Sequence, residues 1–145
     1  PQCRVAMTTP RSTLKLYLAG PMRGLPLFNF PQFASAAKWL REQGHEVFSP
    51  AERDNACHGT DISAGNVAGD EAQAAREYGF NLRQALAADT AWICAEAEGV
   101  VLLPGWQASK GAVAEMSLAR ALGLRVFLLR HLLDPNEWLL VAEHG

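Results

Sequence analysis

"LPGWQASKGAVAEMSLA", residues 103–119, reads as the end of an apolar strand, a sharp Pro-Gly turn and the first turns of a helix. Ser109 is placed to cap that helix, and Gly123 to end it. Ala112, Met116, Ala119 and Leu122 form its apolar stripe, and Glu115 falls on the same stripe. A capping-box glutamate would sit three residues after Ser109, where the chain has Ala112. Glu115 is therefore a carboxylate on a face expected to be buried, which destabilises the fold unless the group has partners.

Outward from this stretch, strands and helices alternate. "GVVLLP" (99–104) is a continuous apolar run of the buried, parallel type. "LKLYLA" (14–19), "HEVFSP" (45–50) and "RVFLLR" (125–130) are three further strands. "PQFASAAKWLREQG" (31–44) carries Phe33, Ala36, Ala37 and Leu40 at helical spacing, with Pro31 at its start and Gly44 at its end. Residues 50–68 show no period and are expected to form a long loop. Helix returns over about 70–97, and "PNEWLLVAEH" (135–144) is expected to be a terminal helix. Four strands are clear, and a fifth is sought within 50–80 or near 135–143. The alternation implies an α/β fold with a parallel sheet and right-handed crossovers.

In such sheets ligands bind beyond the carboxyl ends of the strands, where the winding reverses. Two loops there have turn chemistry, "AGPMRG" (19–24) and "PGWQAS" (104–109). If the first strand is central, they face each other across the crevice. Asp89 repeats the anomaly of Glu115, lying on a stripe with Leu82, Leu86 and Ile93. Gly20, Met22, Arg23 and Gly24 supply backbone amides and one guanidinium, and Ser109 and Gly111 open a helix, a combination able to hold a phosphate. Tyr17 is either core or site, Trp106 either stacks on a base or caps the sheet, and Asn29 and Phe30 are candidates for the entrance. Neither the dinucleotide-binding glycine fingerprint nor a P-loop is present.

Bulk properties exclude several classes. A chain of 145 residues favours one domain, expected over 14–145 behind a loose tail at 1–13. The net charge of -2 gives no electrostatic reason to expect nucleic acid. No apolar run is long enough for a membrane span, and the first residues lack the apolar stretch of a signal peptide. Cys3, Cys57 and Cys94 form no metal-binding spacing and read as structural thiols of a cytoplasmic protein. No metal or cofactor is expected.

"YLAGPMRG" (17–24), the acid of "LAAD" (86–89) and "LPGWQASKGAVAE" (103–115) together resemble the nucleoside 2-deoxyribosyltransferase superfamily, which includes 2'-deoxynucleoside 5'-monophosphate N-hydrolases and small phage-borne relatives. The likeness spans about residues 14–130, and Ser109, Gly111 and Glu115 carry its most specific spacing. It implies a five-stranded Rossmann/flavodoxin-like three-layer sandwich and no cofactor. It implies that Glu115 attacks the anomeric carbon of a nucleotide or nucleoside, that Asp89 positions the sugar or assists the base, and that Tyr17 lies by the nucleophile. Arg23 and Ser109 match positions that hold a 5'-phosphate. Homodimers or larger rings are usual in that superfamily. Pro21 and Glu98 depart from its pattern, where relatives have a serine and an aspartate. The expected activity is hydrolysis of a (deoxy)nucleoside 5'-monophosphate. The alternatives are base exchange by a deoxyribosyltransferase and nucleotide sensing without turnover. A lysine-decarboxylase-like phosphoribohydrolase ranks lower, since its longer glycine-rich signature is absent.

Overall fold

The computed structural model describes residues 13–58, 66, 68–78, 81–134 and 136–143. Five strands form one sheet: β1 (Lys15–Ala19), β2 (Glu46–Phe48), β3 (Gly99–Leu102), β4 (Arg125–His131) and β5 (Trp138–Ala142). Their order is β2-β1-β3-β4-β5, with β1 to β4 parallel and β5 antiparallel to β4. Five helices accompany them: α1 (Phe30–Glu42), α2 (Pro50–His58), α3 (Glu71–Tyr78), α4 (Leu82–Ala95) and α5 (Lys110–Ala121). The chain is thus an α/β fold with a five-stranded, mostly parallel sheet.

The central strands are apolar throughout because both of their faces are covered. On one face Leu16, Leu18, Val101, Leu103 and Leu129 pack with Phe33, Ala36, Ala37 and Leu40 of α1. On the other, Tyr17, Ala19, Val100 and Leu102 pack with Ile93 of α4 and Ala112 and Ala119 of α5. Strand side chains alternate with period two. That alternation sends Tyr17 to the face where α4 and α5 lie, away from its neighbours Leu16 and Leu18. The same packing brings Asp89 and Glu115, which share the inward stripes of those helices, to the tyrosine.

Three expectations need correction. Residues 50–68 are not a loop throughout, since Pro50–His58 is helical. Pro50 fits a first helical turn, but α2 shows no apolar period, because its described buried side chains are Pro50, Ala51 and the acid Asp54. Residues 59–65 and 67 of that stretch lie outside the described residues. The helix expected over 70–97 is two helices, each opened by a polar residue. Asp70 accepts the N–H of Ala72 at 2.9 Å, and Asn81 that of Gln84 at 3.1 Å. The terminal helix is the missing fifth strand. Five apolar residues are too few to tell helix from strand by period. The open edge of β4 settles the choice, pairing Phe127 to His131 with Ala142 to Trp138. Trp138, 2% exposed, packs its ring on His131 and donates from Nε1 to Ser35 Oγ at 3.2 Å.

The expected tail falls almost wholly on residues 1–12, outside the described residues, as do Cys3 and His144. Cys94 is exposed on α4 and so is not a core thiol. Among the described residues no helix is long and apolar enough to cross a membrane.

Candidate active site

The winding of the sheet reverses between β1 and β3, which are neighbours at its centre. The loops that follow these two strands stand side by side. Leu103 N–H donates to Ala19 O at 2.8 Å just past the strand ends. Gly20 is required there, because a Cβ on it would lie 2.8 Å from Cβ of Leu103. A cavity of about 440 Å³ opens above this junction, within the size range of small-ligand sites. It is lined by Tyr17, Gly20, Pro21, Met22, Arg23, Phe28, Phe30, Pro50, Asp54, Leu82, Leu86, Asp89, Ser109, Lys110, Gly111 and Glu115, among others.

The polar centre of the cavity is buried. Glu115 is 6% exposed and Asp89 5%. Tyr17 donates its hydroxyl to Glu115 Oε2. The Tyr17 ring stacks on Phe48 at 5.6 Å and lies 6.5 Å from Trp92. The ring of Tyr17 thus belongs to the core, and its hydroxyl faces the acid cluster. Arg53 reaches Asp89 from α2, with Nε 3.3 Å from Oδ1. The contact lacks hydrogen-bond alignment, as neither atom has a hydrogen-bond partner. Arg53 also pairs with its neighbour Asp54.

Three carboxyl groups thus line one cavity, with the partly buried Arg53 guanidinium beside two of them. Burial raises each of them, as desolvation penalises the charged form. Glu115 is pushed up to about 8, with the charge of Asp89 adding to burial and the Tyr17 hydrogen bond opposing it. Burial pushes Asp54 up to about 7 against the attraction of Arg53, with Asp89 adding to the rise. Asp89 rises to about 6, again through burial, held back by Arg53 and Tyr17. Burial, then the charges of Glu115 and Asp89, lift the Tyr17 hydroxyl well above its ordinary range, so it stays a donor.

These shifts fix a sign for stability. Each folded-state value lies above its unfolded one, so between the two the folded chain holds the extra protons. Stability is then lost as pH rises. From these three groups the thermal midpoint is expected to fall between about pH 5 and about pH 8.5. Glu115→Gln removes one titrating group, so its advantage in midpoint should grow with pH over that window. Thermal melts of both proteins across the range check this, and an advantage that does not change with pH would contradict it.

Toward the rim the site changes character. Ser109 caps α5, its hydroxyl accepting the N–H of Ala112 at 3.1 Å. The hydroxyl proton remains available to a ligand, and the first amides of α5 lack partners within the helix. Arg23 is half exposed and pairs with Glu71 at 3.3 Å, so an anion there would compete with Glu71. Lys110 adds a second cation.

The structure brings together Tyr17, Gly20, Met22, Arg23, Asp89, Ser109, Gly111 and Glu115 of the residues named from sequence. Phe30 joins them. Gly24, Asn29 and Trp106 do not line the cavity. Gly24 turns the loop at φ +81 and donates to Gly69 O at 3.0 Å. Asn29 spends its amide on Pro21 O at 3.1 Å. Trp106 packs against the core beneath α5. Glu98, the departure noted in sequence, accepts the N–H of Lys15 at 2.8 Å and so pins the start of β1. Arg53 and Asp54 were missed, and the adjacent pair of opposite charges in a segment without apolar period offered no signal of burial.

The fold and site define an α/β domain with a buried cluster of acids at the point where its sheet reverses. A sequence model of the family described as a domain of unknown function, DUF4406, matches residues 14–128. The chain belongs to that family, and the match takes in every residue of the acid cluster. Comparison with curated proteins found no match.

Proposed function

We propose that the protein cleaves the N-glycosidic bond of a (deoxy)nucleoside 5'-monophosphate, with Glu115 as nucleophile, in a flavodoxin-like three-layer sandwich. The observation that carries the reading is the Tyr17 hydroxyl on Glu115 at the floor of a cavity that also holds Asp89. The strand order supports the proposed fold, because doubly wound sheets of order 2-1-3-4-5 bind ligands at this crevice. The sequence likeness to nucleoside 2-deoxyribosyltransferases supports the substrate class.

In this reading Glu115 Oε attacks C1' as the bond from C1' to the base nitrogen breaks, and the electron pair leaves with the base. The oxocarbenium-like transition state is stabilised by the carboxylates beside it. Tyr17 orients Glu115, and Asp89 positions the sugar. Water then attacks C1', releasing Glu115 and sugar phosphate. A nucleophile must be ionised, so the rate is expected to climb with pH toward the value of about 8 at which Glu115 loses its proton. The 5'-phosphate sits at the rim, between Ser109, the amides of α5, Arg23 and Lys110. A homodimer or larger homo-oligomer in the cytoplasm completes the proposal.

The resting protonation of Glu115 at neutral pH favours one rival, a nucleotide-binding protein without turnover. Incubation with nucleosides and their 5'-monophosphates, followed by chromatography for free base, separates the two. Release of base is expected, with monophosphates preferred. A charge-assisted contact contributes about 1.5–3 kcal/mol, so Arg23→Ala should remove roughly tenfold or more of that preference. Binding without release of base would favour the rival, and equal use of both forms would remove the phosphate assignment.

A further inference from the structure

Asp54 has no part in the reaction as described above, yet it is 4% exposed and lines the same cavity. Its partner Arg53 also reaches Asp89, so one guanidinium bridges two acids on different helices. Asp89 acts electrostatically on both sides, on Tyr17 and Glu115 and on Asp54. Asp54 comes from α2, which follows β2, and Glu115 from α5, which follows β3; β1 lies between these two strands, so the two acids reach the cavity from opposite sides of β1. A base departing from C1' leaves in the direction opposite to the attack.

We propose that Asp54 is a third acid of this site, joined to Asp89 through Arg53, and that this pair supplies the proton taken by the departing base. The inference rests on the glycosidic reading. The groups facing the pair are Arg53 on α2, Tyr17 on β1 and Glu115 on α5, with Arg23 and Lys110 at the rim. If every carboxyl ionised, three negative charges would face the one partly buried positive charge of Arg53. Like charges this close keep one proton between them. The raised ionisation of Asp54, to about 7, agrees with a proton held at neutral pH. As the bond from C1' to nitrogen breaks, the Asp54 O–H proton passes to the base, which carries off the electron pair. The carboxylate left behind regains a proton from the water that later attacks C1'. Arg53 is a positioning residue, since it pairs with both acids and does not itself line the cavity.

The test uses leaving groups of different need. The probes are 2'-deoxyguanosine 5'-monophosphate and its 7-methyl counterpart, whose base already carries a positive charge and leaves without a proton. General acids contribute about 10²–10⁴-fold. Asp54→Asn is expected to lower kcat/KM on the first probe by at least about 10²-fold, and the loss should shrink by at least about tenfold on the second. Equal losses on both would overturn the role. Infrared titration of the ligand-free protein gives an independent reading. The unmutated protein should show a protonated carboxyl near neutral pH that Asp54→Asn lacks. Arg53→Gln, with an unchanged fold by circular dichroism, should keep that proton to higher pH. Absence of the band overturns the proton store while leaving Glu115 untouched. Failure of the unmutated protein to release base from any of the nucleosides and 5'-monophosphates tested overturns the glycosidic reading and this role with it.

Discussion

Glu115→Gln is expected to lower turnover of the best nucleotide by about 10⁴-fold or more, with nucleotide affinity and fold retained. The amide fills the space of the carboxyl and can still accept the Tyr17 hydrogen bond. It cannot form a glycosyl ester that water then opens. The interaction lost belongs to the transition state, so the effect falls on kcat and leaves binding in place. Stability should hold or rise, because a buried group that resists ionisation is replaced by one that never ionises. A 2-fluoro-arabinosyl nucleotide should leave an adduct on Glu115, found by mass spectrometry of the peptide. A folded mutant turning over near the unmutated rate would make the carboxyl structural.

Asp89→Asn is expected to produce two separable changes. The maximal rate should fall by about 10²-fold or more, through lost charge beside the sugar and loss of one member of the acid pair. The pH at which the rate rises should move downward, because the charge of Asp89 is one cause of the raised Glu115 ionisation. A pH–rate profile of the mutant reads both. A structural defect alone would reduce the rate and leave the limb in place. An unmoved limb with a lower plateau would therefore count against electrostatic contact between the two acids. Arg53 would lose its ion pair at 3.3 Å as well. Part of any loss of stability should therefore be shared with Arg53→Gln, and the two mutations should not add.

Legibility in the sequence followed the strength of the local pattern. Glu115 and Asp89 were readable because each breaks a regular apolar stripe, and a stripe states which way a side chain points. β3 was readable because a strand covered on both faces is apolar throughout, and β1 and β4 because their middles are apolar runs. Tyr17 could be placed in a strand, but only the neighbours of that strand decide what the hydroxyl meets. Arg53 and Asp54 sit in α2, whose described buried residues are a proline, an alanine and an acid, so no period marked them. Trp106 and Asn29 lie in turns, where sequence gives no direction for the side chain, and both turned toward the protein. β5 depended on the open edge of β4, and its five apolar residues fit either element.

That last strand also lies outside the family's span, which ends at residue 128, within β4. The span holds every acid of the site but not the segment that closes the sheet beside it. A chain cut back to the shared portion would lose Trp138 from the packing around α1. The cut would also bare a row of β4 backbone groups, and an uncovered edge recruits other chains. Such a truncation would be expected to aggregate with its acid cluster intact. Any homologue lacking a counterpart of β5 must shield that edge by other means, whether with a charged rim, a helix laid across it or a neighbouring subunit.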